Sequence, residues 1–128
     1  GLSGFSPSNL DASDEFGATV ANLGDIDNDG VIDLAVGARF DEHAGATDEG
    51  AVYILYMHAN GTVKSNVKIT NSSKGFNPNG ELDTNDKFGM GLENIGDLDG
   101  DGIIDLAAGA YLDENESGSH ADEGALYI

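Results

Sequence analysis

Residues 24–38 read GDIDNDGVIDLAVGA, and residues 96–110 read GDLDGDGIIDLAAGA. In the first stretch Asp25, Asp27, Asp29 and Asp33 stand at loop positions 1, 3, 5 and 9, with Gly30 at position 6. In the second, Asp97, Asp99, Asp101 and Asp105 repeat the spacing around Gly102. Alternate spacing lets side chains converge from a curled backbone, and glycine permits the sharp turn that curls it. Each loop then runs into an apolar segment, DLAVGA or DLAAGA, short enough to be a buried strand.

The duplication extends outward from these loops. Phe16-Gly17 and Gly37-Ala38 recur as Phe88-Gly89 and Gly109-Ala110, all offset by 72. Upstream, residues 4–11 align with residues 75–83, one residue longer. Downstream, DEGAVYI (48–54) aligns with DEGALYI (122–128), offset by 74. The two extra residues fall in the polar stretch 113–124, where an insertion costs little. A period near 70 suits a four-stranded sheet with long loops, the unit of a β-propeller blade.

Four strands are expected per copy. In the first they are the segment around FGATVANLG, then DLAVGA, GAVYILYM and VKSNVKIT, with Asn60-Gly61 marking a hairpin turn before the last. In that last strand Val63, Ser65, Val67 and Ile69 share one face by strict alternation, and Lys64 and Lys68 the other. Lysines there suggest an exposed outer strand. The fold expected is all-β, two four-stranded antiparallel propeller-type blades at residues 1–74 and 75–128, the second incomplete because the chain stops before its fourth strand.

Composition narrows the function. Twenty-four acidic residues against five basic ones give a net charge of −19, which repels nucleic acid and anionic membrane surfaces. No cysteine is present, so disulfides and thiolate metal sites are out of reach. No apolar run is long enough to span a membrane. The aspartate loops, by contrast, collect hard oxygen donors, the preference of calcium over magnesium. Val31 and Ile103, at position 7, add a backbone carbonyl each. Two Ca2+ sites are therefore expected, with ligands Asp25, Asp27, Asp29, Val31 and Asp33, and Asp97, Asp99, Asp101, Ile103 and Asp105. An EF-hand is excluded: position 12 is Val36 or Ala108 rather than Glu, and strands rather than helices follow. A divalent ion halves the loop's negative charge. At roughly tenfold excess over its dissociation constant it adds about 1.4 kcal/mol per site, and extracellular modules dissociate at about 0.1–1 mM.

Phe-Gly, then Asp-x-Asp-x-Asp-Gly-x-x-Asp, then Leu-x-x-Gly-Ala resembles the FG-GAP repeat, the blade unit of integrin alpha-subunit-like β-propellers. Arg39 and Tyr111 stand where that family's proline falls. The resemblance implies calcium loops between the first two strands of each blade and a role in adhesion or protein–protein assembly, without catalysis, outside the cell or at its surface. Two blades cannot close a ring. The chain is then an excerpt of a longer propeller, a self-assembling subunit (a homo-oligomer, fibre or surface layer built by blade or strand complementation), or a pair stable alone with calcium.

Other motifs are weaker. His43, His58 and His120 lie at non-equivalent positions and read as surface residues. The serines lack a Gly-x-Ser-x-Gly elbow. A calcium-dependent carbohydrate-binding or hydrolytic domain is the remaining alternative, because carboxylates are plentiful. Tyr53, Tyr56 and Tyr127 fit strand packing. Asn60, Asn71 and Asn115 each open an Asn-x-Ser/Thr acceptor pattern for glycosylation.

Overall fold

The computed structural model describes residues 5, 7, 10–11, 13–42, 47–71, 82–113 and 124–128. Seven strands and no helix are found among them: β1 (Thr19–Gly24), β2 (Asp33–Ala38), β3 (Ala51–Met57), β4 (Val63–Ile69), β5 (Gly91–Gly96), β6 (Asp105–Ala110) and β7 (Ala125–Tyr127). They form two antiparallel sheets, ordered β1-β2-β3-β4 and β5-β6-β7. The all-β blade architecture expected from the duplication is what the chain adopts. The division at residues 74 and 75 lies outside the described residues.

Each Phe-Gly is tied to its Gly-Ala. Gly17 N–H donates to the Gly37 carbonyl at 3.0 Å, and Gly89 N–H to the Gly109 carbonyl at 3.0 Å. Both Phe-Gly glycines have positive φ, 94° and 83°, a region costly for residues bearing a Cβ. This is why β1 begins at Thr19 rather than at Phe16: the Phe-Gly makes the turn that enters the strand. The phenylalanine then packs edge-on against a tyrosine of its own blade. Phe16 meets Tyr53 at 5.3 Å between centroids, and Phe88 meets Tyr127 at 5.6 Å. Both tyrosine hydroxyls donate to a buried aspartate, Tyr53 to Asp41 and Tyr127 to Asp113.

The two sheets stack face to face. Ala21, Leu23, Ala35 and Val52 of the first bury against Phe88, Ala108 and Ala110 of the second, with Leu82 between them. Backbone contacts run along the seam. Phe88 N–H donates to Glu49 O at 2.9 Å, Gly50 and Phe88 form a parallel bridge, and Thr19 Oγ1 donates to Gly89 O at 2.7 Å. A Cβ on Gly37 would stand 2.0 Å from the Gly89 carbonyl oxygen. The glycine of the first Gly-Ala therefore lets the next Phe-Gly approach to backbone contact. The other face of the first sheet carries Val36, Ala38, Ala51, Tyr53 and Leu55, against which Phe5, Leu10 and Phe16 pack.

β4 lies at the sheet edge and is largely exposed, as its lysines suggest. Its strict alternation fails at one point. The pairing shifts from Tyr56↔Ser65 to Met57↔Val63, leaving Lys64 as the extra residue of a bulge. Two residues opposing one reverse the facing of all that follows. Val63 consequently packs with Met57 on the Tyr53 face, while Ile69 packs with Val52 on the face toward the second sheet. The expectation of one shared face holds for Ser65, Val67 and Ile69 and fails for Val63.

Gly37→Ala tests the seam. Forcing a methyl into backbone at this distance should cost about 2 kcal/mol or more of unfolding free energy. Gly109→Ala, whose Cβ would meet nothing closer than 3.9 Å among the described residues, should stay within about 0.5 kcal/mol of wild type. Neither glycine has positive φ, so paired urea titrations read the steric term alone.

Candidate metal centres

Each aspartate loop connects the first two strands of its sheet. The first aspartate of the loop builds its shape. Asp25 accepts the N–H groups of Asp29 and Gly30 at 2.9 and 2.8 Å. Asp97 accepts those of Gly100, Asp101 and Gly102 at 2.7, 3.0 and 2.9 Å. Gly30 and Gly102, at φ 86° and 88°, make the turn that allows this. The fifth-position aspartate closes the far side: Val31 N–H donates to Asp29 at 2.9 Å and Ile103 N–H to Asp101 at 2.7 Å.

The result is a pair of matched carboxylate clusters. Asp25, Asp27 and Asp29 offer oxygens within 4.8 Å of one another, and so do Asp97, Asp99 and Asp101. All six residues are exposed to solvent. The donor set is hard oxygen throughout, the chemistry that suits a divalent cation. A cationic group already stands against the first cluster, the Lys64 ammonium, at 2.6 Å from both Asp27 and Asp29.

The ninth-position aspartates lie apart from these clusters. Asp33 is fully buried, and its two oxygens accept Ile26 N–H at 3.1 Å and Met57 N–H at 2.9 Å. It joins the loop to the end of β3. Asp105 accepts Leu98 N–H at 2.7 Å in the equivalent way. An ionised carboxylate oxygen has a second lone pair, so these bonds do not remove either residue from the donors a cation could use. The side chain of Val31 is half-buried, while that of Ile103 is 65% exposed.

Lys64 perturbs its neighbours. Its hydrogen bond, followed by the Val31 N–H, holds the Asp29 carboxyl below the ordinary carboxylate range. The carboxylates of Asp27 and then Asp29 push the lysine upward in turn. Sequence reasoning placed Lys64 on the outer strand but not at the loop. The bulge that delivers it there has no signature in residue type.

A third acidic group, Asp11, Asp14 and Glu42, also comes together. Asp14 is buried, which raises its carboxyl pKa, although the Asp11 N–H bonded at 2.9 Å pulls it back. The second copy repeats this turn, with Asp83 N–H donating to Asp86. The recurrence of the cap in both copies marks it as part of the blade's turn structure. Of the acceptor asparagines, Asn60 is exposed and its Oδ1 accepts the Thr62 N–H and hydroxyl. Asn71 is half-buried, and its amide nitrogen donates to Leu82 O at 2.7 Å. Asn115, His43 and His120 lie outside the described residues; His58 is exposed.

Paired blade sheets, each with an acidic loop between its first two strands, define a propeller-type repeat. Residues 16–55 match the family described as FG-GAP repeat. Over 101 residues, 78% of its length, the chain is 39% identical to integrin alpha-4 of Xenopus laevis. It is 33% identical over 96 residues to integrin alpha-5 of the same species, and 37% identical over 102 residues to integrin alpha-PS5 of Drosophila melanogaster. These stretches cover 75% and 79% of the chain. The chain thus carries an FG-GAP repeat and, over most of its length, is homologous to integrin alpha subunits. It spans only 8–9% of the length of these relatives.

Asp33→Ala tests the anchoring role. Two partly buried N–H groups would lose a charged acceptor, each worth about 1.5–3 kcal/mol. A loss of roughly 3 kcal/mol or more is expected in calorimetric unfolding, with chelator present. Asp27→Ala, which removes no backbone bond, should cost far less under that condition.

Proposed function

We propose that the chain is a calcium-binding, non-enzymatic β-propeller-type repeat module that serves adhesion or protein–protein assembly outside the cell or at its surface. Asp25, Asp27 and Asp29 with the Val31 carbonyl and Asp33, and Asp97, Asp99 and Asp101 with the Ile103 carbonyl and Asp105, hold one Ca2+ each. The observation that carries the reading is the matched geometry of the two loops. Each gathers three carboxylates, the first of them also accepting backbone N–H groups, at the equivalent turn of its own blade. Repulsion among those carboxylates is relieved by the ion, which ties the loop to the strands on either side of it. The integrin alpha names of the relatives support an adhesive role.

A second reading concerns assembly. Leu23 and Val52 are 3% and 0% exposed because the second sheet covers them; their repeat equivalents Ile95 and Leu126 are 37% and 66% exposed. Ile128, equivalent to Ile54, is likewise exposed. The far face of the second sheet is therefore the first sheet's seam without its cover. A following blade fits it, in a longer chain or in a neighbouring copy; in the second case the chain is a structural subunit of a fibre or surface assembly.

Two measurements test these readings. In millimolar calcium, Asp27→Ala should melt below wild type, and adding chelator should lower it little further; a melt equal to wild type in calcium overturns the first-loop assignment. Light scattering after size exclusion should show multimers that Leu126→Asp returns to single-chain mass. A wild-type monomer at high concentration overturns the self-assembling reading and leaves that of a segment completed within a longer chain.

A further inference from the structure

We infer that Lys64 is a tethered counter-cation of the first loop, which an entering divalent ion must displace, so that the two loops take the ion with unequal affinity. The inference rests on the calcium reading above and adds a determinant to it.

The ammonium lies 2.6 Å from Asp27 and 2.6 Å from Asp29, bridging two of the three clustered carboxylates. It reaches them because Lys64 is the extra residue of the β4 bulge, beside the hairpin that leads out of β3. Asp25 has both oxygens on backbone N–H groups, so Asp27 and Asp29 supply the oxygens most open to a cation. Lysine and metal therefore compete for the same atoms. An ammonium brings one charge and three N–H donors; a calcium ion brings two charges and takes six to eight oxygens. The metal wins at sufficient concentration, but it has to break both lysine contacts first.

Among the described residues no basic side chain pairs with Asp97, Asp99 or Asp101. The second loop is thus an internal control with the same spacing and, among the described residues, no counter-cation. Two consequences follow. The first loop keeps its folded shape better without metal, and it fills at higher calcium than the second.

Calorimetric titration of the whole chain with CaCl2 at low ionic strength tests this, with Asp27→Ala and Asp99→Ala assigning the two binding events. Wild type should show the first loop as the weaker site. Lys64→Met should tighten that site about two- to fivefold, the scale of an exposed ion pair, and leave the second unchanged. Lys64→Arg should behave as wild type. A chelator-treated melt of each variant confirms that it is folded and should show Lys64→Met lowered relative to wild type. Two binding events of which neither responds to Lys64→Met overturn the inference and leave the calcium reading standing. No binding heat in wild type at millimolar calcium overturns both.

Discussion

The structure depends on one close approach, the carbonyl of Gly89 against the bare Cα of Gly37. Sheets packed through side chains stand about 10 Å apart. Here part of the seam is backbone on backbone, with Thr19 Oγ1 bonded to that carbonyl and Phe88 paired with Gly50. The contact sets the register of one blade on the next. It brings Phe88 into the apolar layer behind Ala35 and Val52, and it allows Asn94 Nδ2 to reach Asn22 O at 2.9 Å. The Phe-Gly and Gly-Ala signatures are two halves of one device: within a blade they share a hydrogen bond, and between blades they share the seam.

Much of this is legible in the sequence. β2 begins at Asp33 and ends at Ala38 where the aspartate and the Gly-Ala punctuate it, and the loop sits between β1 and β2 as the repeat implied. β4 was readable as an outer strand from its lysines. Less legible were features set by backbone count rather than residue type. The bulge at Lys64 reverses the faces of β4, and nothing in VKSNVKIT marks where one extra residue enters. The role of Asp33 was hidden for a related reason. Spacing places it in the loop, but whether its oxygens turn inward to Ile26 and Met57 or outward to the cluster depends on how β3 passes beneath, which one loop's sequence does not contain.

Part of each loop's curl is held by its own backbone. Asp25 gathers two backbone N–H groups and Asp97 three, which offsets part of the mutual repulsion and holds the curl. An ion binding such a loop needs less reordering of the chain than one that must first fold its own cage, and preorganisation of this kind favours affinity. The cost is borne by position: the carboxylates stay at the surface, where solvent screens whatever they bind.

The two faces of each blade differ in kind, one offering an aromatic pair and the other a glycine-lined hollow with apolar sides. Such a seam is heterologous, and a twofold axis cannot generate it, since a surface of one kind never meets itself. Any array built by repeating it has a direction, and its number of members is decided by the angle between successive sheets rather than by the strength of any contact within it.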